Sequence, residues 1–273
     1  MITQKTINEL LNDTNITKLN RHEYVSRFEK NEAVFYLWLH DILHSVPVNY
    51  DYSFFARSVR AWAKVFNVDE DEFSSMILDE LTAINWPDAY NVMFKVASAP
   101  VILNDTIIKN DGSNGSLNIL IGAPGSGKST YIQTAHVDTI ISRDKFIVDE
   151  YSHLFTSEMS VNELYHKCYE ASLGDKTCDQ RFMASARTKI ENNKHVWVDM
   201  TNMSVASRRK WINQANIHKK TVVCYVNLTT IATCISRQNV RTDKVIPTIV
   251  IEDMFKRLQM PWLDVECSRL VIL

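Results

Sequence analysis

Residues 117–130 read LNILIGAPGSGKST, an apolar run that is followed at once by a glycine-rich turn and a lysine. The apolar run predicts a buried strand, and the turn matches G-x-x-x-x-G-K-[ST], the pattern of a phosphate-binding loop. Glycines let consecutive backbone N–H groups point at one anion, and a helix that begins near Lys128 adds its positive end. The pattern predicts a nucleotide site formed by Gly122, Ala123, Pro124, Gly125, Ser126, Gly127, Lys128, Ser129 and Thr130.

The last residues of this loop have the side chains that a bound nucleoside triphosphate requires. The Lys128 ammonium can reach the β- and γ-phosphates, and the Ser129 hydroxyl can hold a magnesium ion. We therefore expect ATP and Mg²⁺ as the cofactors of this chain.

The composition is that of a globular protein large enough for two domains. Of the 273 residues, 45% are hydrophobic and 23% are charged, as in ordinary water-soluble proteins. No apolar run approaches the roughly 20 residues of a membrane span, and the first residues lack the apolar core of a signal peptide. The five cysteines have no metal-ligand spacing. They favour reduced thiols in a cytoplasm.

Charge is divided unevenly along the chain. Residues 1–110 carry 10 Lys and Arg against 15 Asp and Glu, whereas residues 111–273 carry 20 against 17. The positive excess lies with the loop, and an acidic first half is a poor grip for a nucleic-acid backbone. Because residues 110–115 are rich in turn formers, we predict a helical domain at residues 1–110, a linker at 111–115 and a second domain at 116–273.

Helical periodicity dominates the first hundred residues. Apolar side chains recur at i, i+3, i+4 and i+7, as in Phe35, Trp38, Leu39 and Ile42. Asp69 is placed to cap a later helix. Pro87 is expected to begin a further helix, and residues 101–108 a hairpin or an edge strand. We predict that the aromatic residues form a packed core and not a base-stacking platform, and we assign this part no chemistry.

After the loop, predicted strands alternate with predicted helices. The strands are residues 138–142, 195–199, 221–227 and 269–273. This alternation predicts an α/β fold with a parallel sheet and helices on both faces. Ligands of such sheets bind at the carboxyl ends of the strands. We therefore expect one shared rim formed by Gly122, Asp144, Asp199 and Asn227.

Asp144 and two arginines are candidates for chemistry at that rim. Asp144 can accept the proton of an attacking hydroxyl; the alternative is that it only caps the following helix. Arg237 and Arg241 lie one helical turn apart and can stabilise the charge of a transferring phosphate. The alternative for this pair is an exposed position on a solvated helix face.

The residues after the strand at 195–199 are open to two interpretations. Asp199 could touch Mg²⁺ through water, or it could only shape a turn together with Thr201 and Asn202. Thr201 and Asn202 remain candidate substrate contacts, as does Arg143. The basic run at residues 208–210 is interpreted as solvated surface.

Four motifs occur in a fixed order: GAPGSGKST, then SRDKF, then VDMTN with ASRRKW, then R-x-x-x-R before Val-Ile-Pro. In order and spacing they resemble the kinase domain of phage polynucleotide kinases, over residues 116–273. The resemblance implies a P-loop kinase that phosphorylates 5′-hydroxyl ends of DNA or RNA with ATP. It also implies roles for the matching residues. Lys128 and Ser129 would contact phosphate and metal, Asp144 would be the general base, and Arg237 and Arg241 would be lid arginines.

The sequence departs from that family in two places. Where the phage enzyme has an arginine that holds the 3′-phosphate of the acceptor, this chain has Ile147, and no D-x-D-G-T phosphatase signature occurs. We predict an ATP-dependent kinase for a nucleic-acid end, with no membrane partner. One alternative is a kinase for a hydroxymethylated base in DNA or for a small sugar-nucleotide, as in zeta-toxin-like kinases. The other is an NTP-dependent switch or binding module.

Overall fold

The computed structural model of the chain describes residues 2, 4–13, 15–45, 52–83, 114–135, 137, 139–155 and 158–273. The predicted helix after Pro87, the predicted hairpin at 101–108 and the start of the predicted linker lie outside the described residues. The division into two domains therefore stays a prediction.

Helices precede the loop, and helices and strands alternate after it. Before the loop lie α1 (Gln4–Asn12), α2 (Arg21–Val25), α3 (Lys30–Ser45), α4 (Tyr52–Phe66) and α5 (Glu70–Ala83). From the loop onwards lie β1 (Ser116–Ile121), α6 (Lys128–Thr134), β2 (Ile140–Ile141), α7 (Arg143–Tyr151), α8 (Val161–Gly174), α9 (Cys178–Asn192), β3 (His195–Val198), α10 (Val205–Ile217), β4 (Thr221–Val226), α11 (Ile231–Asn239), α12 (Thr248–Arg257) and β5 (Arg269–Ile272).

The described strands form one sheet in the order β2-β3-β1-β4-β5, with every neighbouring pair parallel. The predicted α/β fold is confirmed. β1 lies at the centre, and all five side chains from Leu117 to Ile121 are buried, because helices cover both faces of such a sheet. Since the strands are parallel, the residues that follow β1, β2, β3 and β4 lie along the same edge.

The helices before the loop pack around α3. The side chains of residues 33–39 are all buried, so this helix is buried on every side. The ring of Trp38 stacks on Phe55 at 5.6 Å, and Phe35 meets Trp62 edge to face at 5.6 Å. The aromatic residues therefore form a packed core, as predicted. Asp69 accepts hydrogen bonds from the N–H groups of Asp71 and Glu72, which confirms it as the cap of α5.

A segment near the carboxyl end, residues 258–266, joins these helices to the sheet half. Arg21 and Asp41 form a buried ion pair, in which Arg21 also donates to the carbonyl of Leu258 at 2.8 Å. Asp41 in turn accepts from the N–H of Met260 at 2.7 Å. The Trp38 ring lies edge-on to Trp262 at 5.5 Å. The helices before the loop thus share one continuous core with the α/β part.

Arg208 contacts the other side of this segment. It is buried, so the interpretation of residues 208–210 as solvated surface is wrong for Arg208. Its side chain is 0% exposed and donates to both carboxylate oxygens of Glu266, at 3.0 and 2.9 Å. It also donates to the carbonyl of Gln259 at 2.9 Å. The local sequence around Arg208 cannot reveal a partner that lies 58 residues away in the sequence.

Glu266→Gln is expected to lower the free energy of unfolding by about 3–5 kcal/mol, because it leaves the buried Arg208 charge uncompensated. Urea unfolding followed by tryptophan fluorescence measures the change. The matched control is Asp253→Asn, since Asp253 pairs with Lys256 at a half-exposed site and such pairs contribute less than about 1 kcal/mol. Equal effects of the two substitutions would contradict the assignment.

Within the described residues, the structure contains no helix with both the length and the apolarity for a membrane crossing.

Candidate active site

The loop between β1 and α6 has a backbone that requires glycine. Gly125 and Gly127 have φ values of +81° and +100°, in the left-handed region that disfavours a side chain. A Cβ on Gly125 would also lie 2.6 Å from the carbonyl oxygen of Cys234 in α11. The loop is therefore packed against α11 and curled as a phosphate cradle requires.

Lys128 is the first residue of α6 and lies inside the curl of the loop. Its ammonium donates to the carbonyl oxygens of Gly122 at 2.7 Å and Ala123 at 2.8 Å. Burial lowers the pKa of Lys128 from 10.5 to about 8, although the nearby Asp199 charge opposes that shift. A buried cation with only neutral acceptors in contact is well suited to a phosphate anion.

Ser129 and Asp199 meet across the sheet edge. The Ser129 hydroxyl donates to Oδ2 of Asp199 at 3.1 Å. Since β3 neighbours β1, the residue after β3 is brought beside the start of α6. A hydroxyl and a carboxylate at one point are ligands of the kind that Mg²⁺ uses together with substrate phosphates, so these two side chains fit the ion.

Asp144 lies just beyond β2, in the first turn of α7. Oδ1 of its carboxylate accepts from the Tyr165 hydroxyl at 3.0 Å, and Oδ2 accepts from the Lys244 ammonium at 2.6 Å. The cap of α7 is Ser142, which accepts from the N–H of Lys145, so the capping interpretation of Asp144 is wrong. The Asp144 side chain is 53% exposed, so part of it remains accessible to solvent.

The segment that joins α11 to α12, residues 240–247, forms a lid loop beside this carboxylate. Arg237, in the last turn of α11, donates to the carbonyl of Gly125 at 3.1 Å. Arg241 makes two hydrogen bonds with the Asp243 carboxylate, at 2.6 and 2.7 Å. The N–H of Val245 donates to Asn162 of α8 at 3.0 Å. The Arg237 contact thus fastens α11 to the phosphate loop, and the Val245 contact fastens the lid loop to α8.

Charges on these separate elements act on one another. The pKa of Arg241 is raised mainly by its hydrogen bonds to Asp243, and further by the charges of Asp144 and Asp199. The Lys128 ammonium feels the charges of Asp199, Lys244 and Asp144. The phosphate loop, the residues that follow β2 and β3, and the lid loop are therefore close enough for their charges to act on one another.

The other residues that were predicted to contact substrate have partners within the protein itself. Asn202 is 3% exposed, with a φ of +46°, and its amide donates to the carbonyl of Leu120 and accepts from the Trp211 ring N–H. The carbonyl of Thr201 accepts from the N–H of Gly122. Arg143 forms an ion pair with Asp179 at 2.8 Å. The structure thus places Asn202 beneath the phosphate loop and not on its open side.

Tyr165 and Lys244 are the site residues that the sequence did not reveal. Lys244 carries a weak signal, because it is the third cation, after Arg237 and Arg241, in the stretch that ends at Pro247. Tyr165 carries none, since only the packing of α8 against α7 brings residue 165 to residue 144. Ile147 belongs to a satellite core with Tyr151, Cys168 and Cys178, so it cannot contact a phosphate.

Comparison with known proteins gives a family match over the sheet half. Residues 117–261 match the family model described as an AAA domain. The curated proteins contain no match. Among solved structures, a crystal structure of an inferred kinase from Chloroflexus aurantiacus is similar, with 16% identity and a TM-score of 0.42 over 59% of this chain and 88% of that one.

Proposed function

Because the chain belongs to the AAA domain family through residues 117–261, we propose that it uses ATP to phosphorylate a hydroxyl group, namely the 5′-hydroxyl end of DNA or RNA. One observation supports this proposal above the others. An exposed carboxylate, Asp144, follows β2 at the sheet edge where the buried ammonium of Lys128 follows β1, and its charge acts on that ammonium. A nucleotide switch has no use for a base at that position, whereas transfer to a hydroxyl requires one.

The proposed reaction is an in-line displacement at the γ-phosphorus. The acceptor oxygen forms the new O–P bond, its proton passes to the Asp144 carboxylate, and the bond from the γ-phosphorus to the bridging oxygen breaks to release ADP. In this reaction Lys128, Arg237 and Arg241 would stabilise the charge that spreads over the γ-phosphate oxygens. The chain thus supplies positioning and charge stabilisation, and one proton acceptor.

Ser129 and Asp199 would hold Mg²⁺, the first directly and the second through water. When bound, the ion neutralises phosphate charge. The protein side of this site is the 3.1 Å contact between the two side chains, which orients both oxygens before any ligand arrives.

A second acceptor class deserves the same assay because of Ile147. Its side chain is 1% exposed, so the position that carries an arginine in phage polynucleotide kinases offers no cation here. This favours acceptors whose recognition does not depend on a cation at a 3′-phosphate, such as a hydroxymethylated base in DNA or a small sugar-nucleotide.

The test is phosphate transfer from γ-labelled ATP with Mg²⁺. The acceptors are 5′-hydroxyl DNA and RNA oligonucleotides with and without a 3′-phosphate, a hydroxymethyl-pyrimidine duplex, and a small-molecule extract. Lys128→Ala is the negative control. Label on strand ends supports the proposal. Label only on the duplex or on a small molecule keeps the mechanism and replaces the acceptor, and ATP hydrolysis without any labelled acceptor contradicts the kinase proposal.

The rate at low ATP is expected to fall as the pH rises through about 8, the pKa of Lys128. Below that pH the free protein carries the ammonium, and above it the amine is neutral and attracts phosphate poorly. The fall in kcat should occur at a higher pH than the fall in kcat/KM. Bound phosphate stabilises the ammonium in the complex, whereas kcat/KM reports the free protein. Profiles of both constants for ATP measure the difference. A kcat/KM that stays constant up to the ordinary lysine pKa of 10.5 would contradict the assignment.

A further inference from the structure

Helix α8 carries a stripe of large side chains that the proposed reaction has not used. Val161, Tyr165, Tyr169 and Leu173 recur every four residues and so lie along one face of the helix. Val161, Tyr169 and Leu173 are 67%, 39% and 65% exposed, respectively. Of these four side chains, only the two tyrosines have flat rings that can stack on the base of a ligand.

One residue of the stripe, Tyr165, contacts the candidate general base, Asp144. The Tyr165 hydroxyl donates to Asp144 at 3.0 Å, so this ring lies one hydrogen bond from the carboxylate that would receive the acceptor hydroxyl. The ring of Tyr169 stacks on that of Tyr165, with centroids 6.2 Å apart and planes 21° apart. The exposed ring of Tyr169 is therefore the aromatic surface that lies one ring beyond the residue in contact with Asp144.

Cations border this surface. The Lys244 ammonium lies 4.5 Å from the centre of the Tyr165 ring, and the Arg143 charge acts on the Tyr165 hydroxyl. A ligand that pairs a flat ring with a phosphate is complementary to such a combination of aromatic and positive groups. A serine or threonine hydroxyl of a peptide would bring no ring to this surface.

We propose that Tyr169, extended by Tyr165, is the platform on which the base of the acceptor's terminal nucleoside stacks. The inference rests on the proposed function, because it places the hydroxyl of that nucleoside at Asp144. Tyr165 has a second role, because its hydroxyl also orients the Asp144 carboxylate. Tyr169 makes no contact with Asp144 and serves only to bind the nucleobase. The platform accepts any base, because every base presents a flat face.

The test measures binding, so that it does not depend on turnover. Fluorescence anisotropy would give the affinity of the full chain, with ADP and Mg²⁺ present, for two 5′-hydroxyl oligonucleotides. One carries a base on its terminal sugar and the other has an abasic terminal sugar. The variants are Tyr169→Ala and Tyr169→Trp. Leu173→Ala, one turn further along the same exposed face, is the matched control.

Tyr169→Ala is expected to weaken binding of the base-bearing oligonucleotide by about 5- to 150-fold, the range for loss of one base–aromatic stack. The abasic oligonucleotide should bind the native protein and this variant equally. Tyr169→Trp should retain the preference for the base, and Leu173→Ala should change neither affinity. Equal binding of the two oligonucleotides by the native protein, or an equal loss for both in Tyr169→Ala, would overturn the platform.

Labelled transfer to the same two oligonucleotides separates this inference from the proposed function. If Tyr169→Ala transfers phosphate to strand ends with unchanged kcat and unchanged KM for the acceptor, the platform is overturned and the proposed function is kept. Base-dependent binding that requires Tyr169, without transfer to either strand end, supports the nucleobase platform and overturns the choice of a strand end as acceptor. In that case free nucleosides and sugar-nucleotides are the acceptors to assay.

Discussion

Arg241→Ala is expected to lower kcat by about 10³-fold or more, the effect of removing an arginine that stabilises a transferring phosphate. The KM for ATP should change little, because the charge that Arg241 meets develops only in the transition state. The guanidinium is held in a two-pronged contact with Asp243 and lies in the field of Asp144 and Asp199. Rapid-quench measurement of labelled transfer, together with ATP affinity by calorimetry, gives both quantities.

Three variants make the Arg241 result specific. Arg241→Lys keeps the charge but loses the planar fork, so its rate should lie between those of the alanine variant and the native protein. Asp243→Asn weakens the pairing of Arg241 without removing the guanidinium and should keep most of the activity. Arg209→Ala, at an exposed position on α10, is the remote control. A near-native kcat for Arg241→Ala would show that this arginine is only an exposed helix-end residue.

Asp144→Asn is expected to slow transfer by about 10²–10⁴-fold, which is the usual effect of removing a general base. Asparagine has almost the same shape and can still accept from the Tyr165 hydroxyl, but its amide cannot take the acceptor proton. ATP affinity should stay close to that of the native protein, because the hydrogen bonds of Asp144 are with Tyr165 and Lys244 and not with the phosphate loop. Single-turnover transfer and ATP binding are the measurements.

Lys244 provides the internal control for the Asp144 result. The substitution frees an ammonium that is only 18% exposed, and this freed charge could by itself disturb the lid loop. The double variant Asp144→Asn, Lys244→Met separates the two causes. If Asp144 is the base, the double variant stays as slow as Asp144→Asn. A double variant that regains the rate of Lys244→Met would assign the loss to the freed lysine. Asp149→Asn, an exposed acid on the same helix, should be silent.

The phosphate loop and the shared rim could be predicted because both follow from local patterns. An apolar run followed by G-x-x-x-x-G-K-S fixes a strand, a curled backbone and a helix start within 14 residues. Alternating strands and helices impose a parallel sheet, and a parallel sheet brings the residues after its strands to one edge. Asp144 and Asp199 are thus where the sequence predicts them. The extent of β2 was less predictable, since two residues at the edge of the sheet form it and not five.

The role of each polar residue depended on partners that are distant in the sequence. Asn202 looked like a substrate contact but supports the phosphate loop from below, because β1 and α10 supply its partners. Arg208 looked solvated but is buried against Glu266. In both cases the residue type was compatible with either environment, and burial was decided by elements that the local sequence does not contain.

By itself, the sequence determined the α/β fold, the phosphate loop and the sheet edge at which Lys128, Asp144 and Asp199 converge, since each depends on short-range periodicity and on the chemistry of glycine. Only the tertiary structure decided the surroundings of Asp144. The packing of α8 on α7 places Tyr165 against the carboxylate, and the lid loop places Lys244 there from 100 residues away. Such contacts arise when separate helices cover one sheet, and no local pattern records which side chains will then meet.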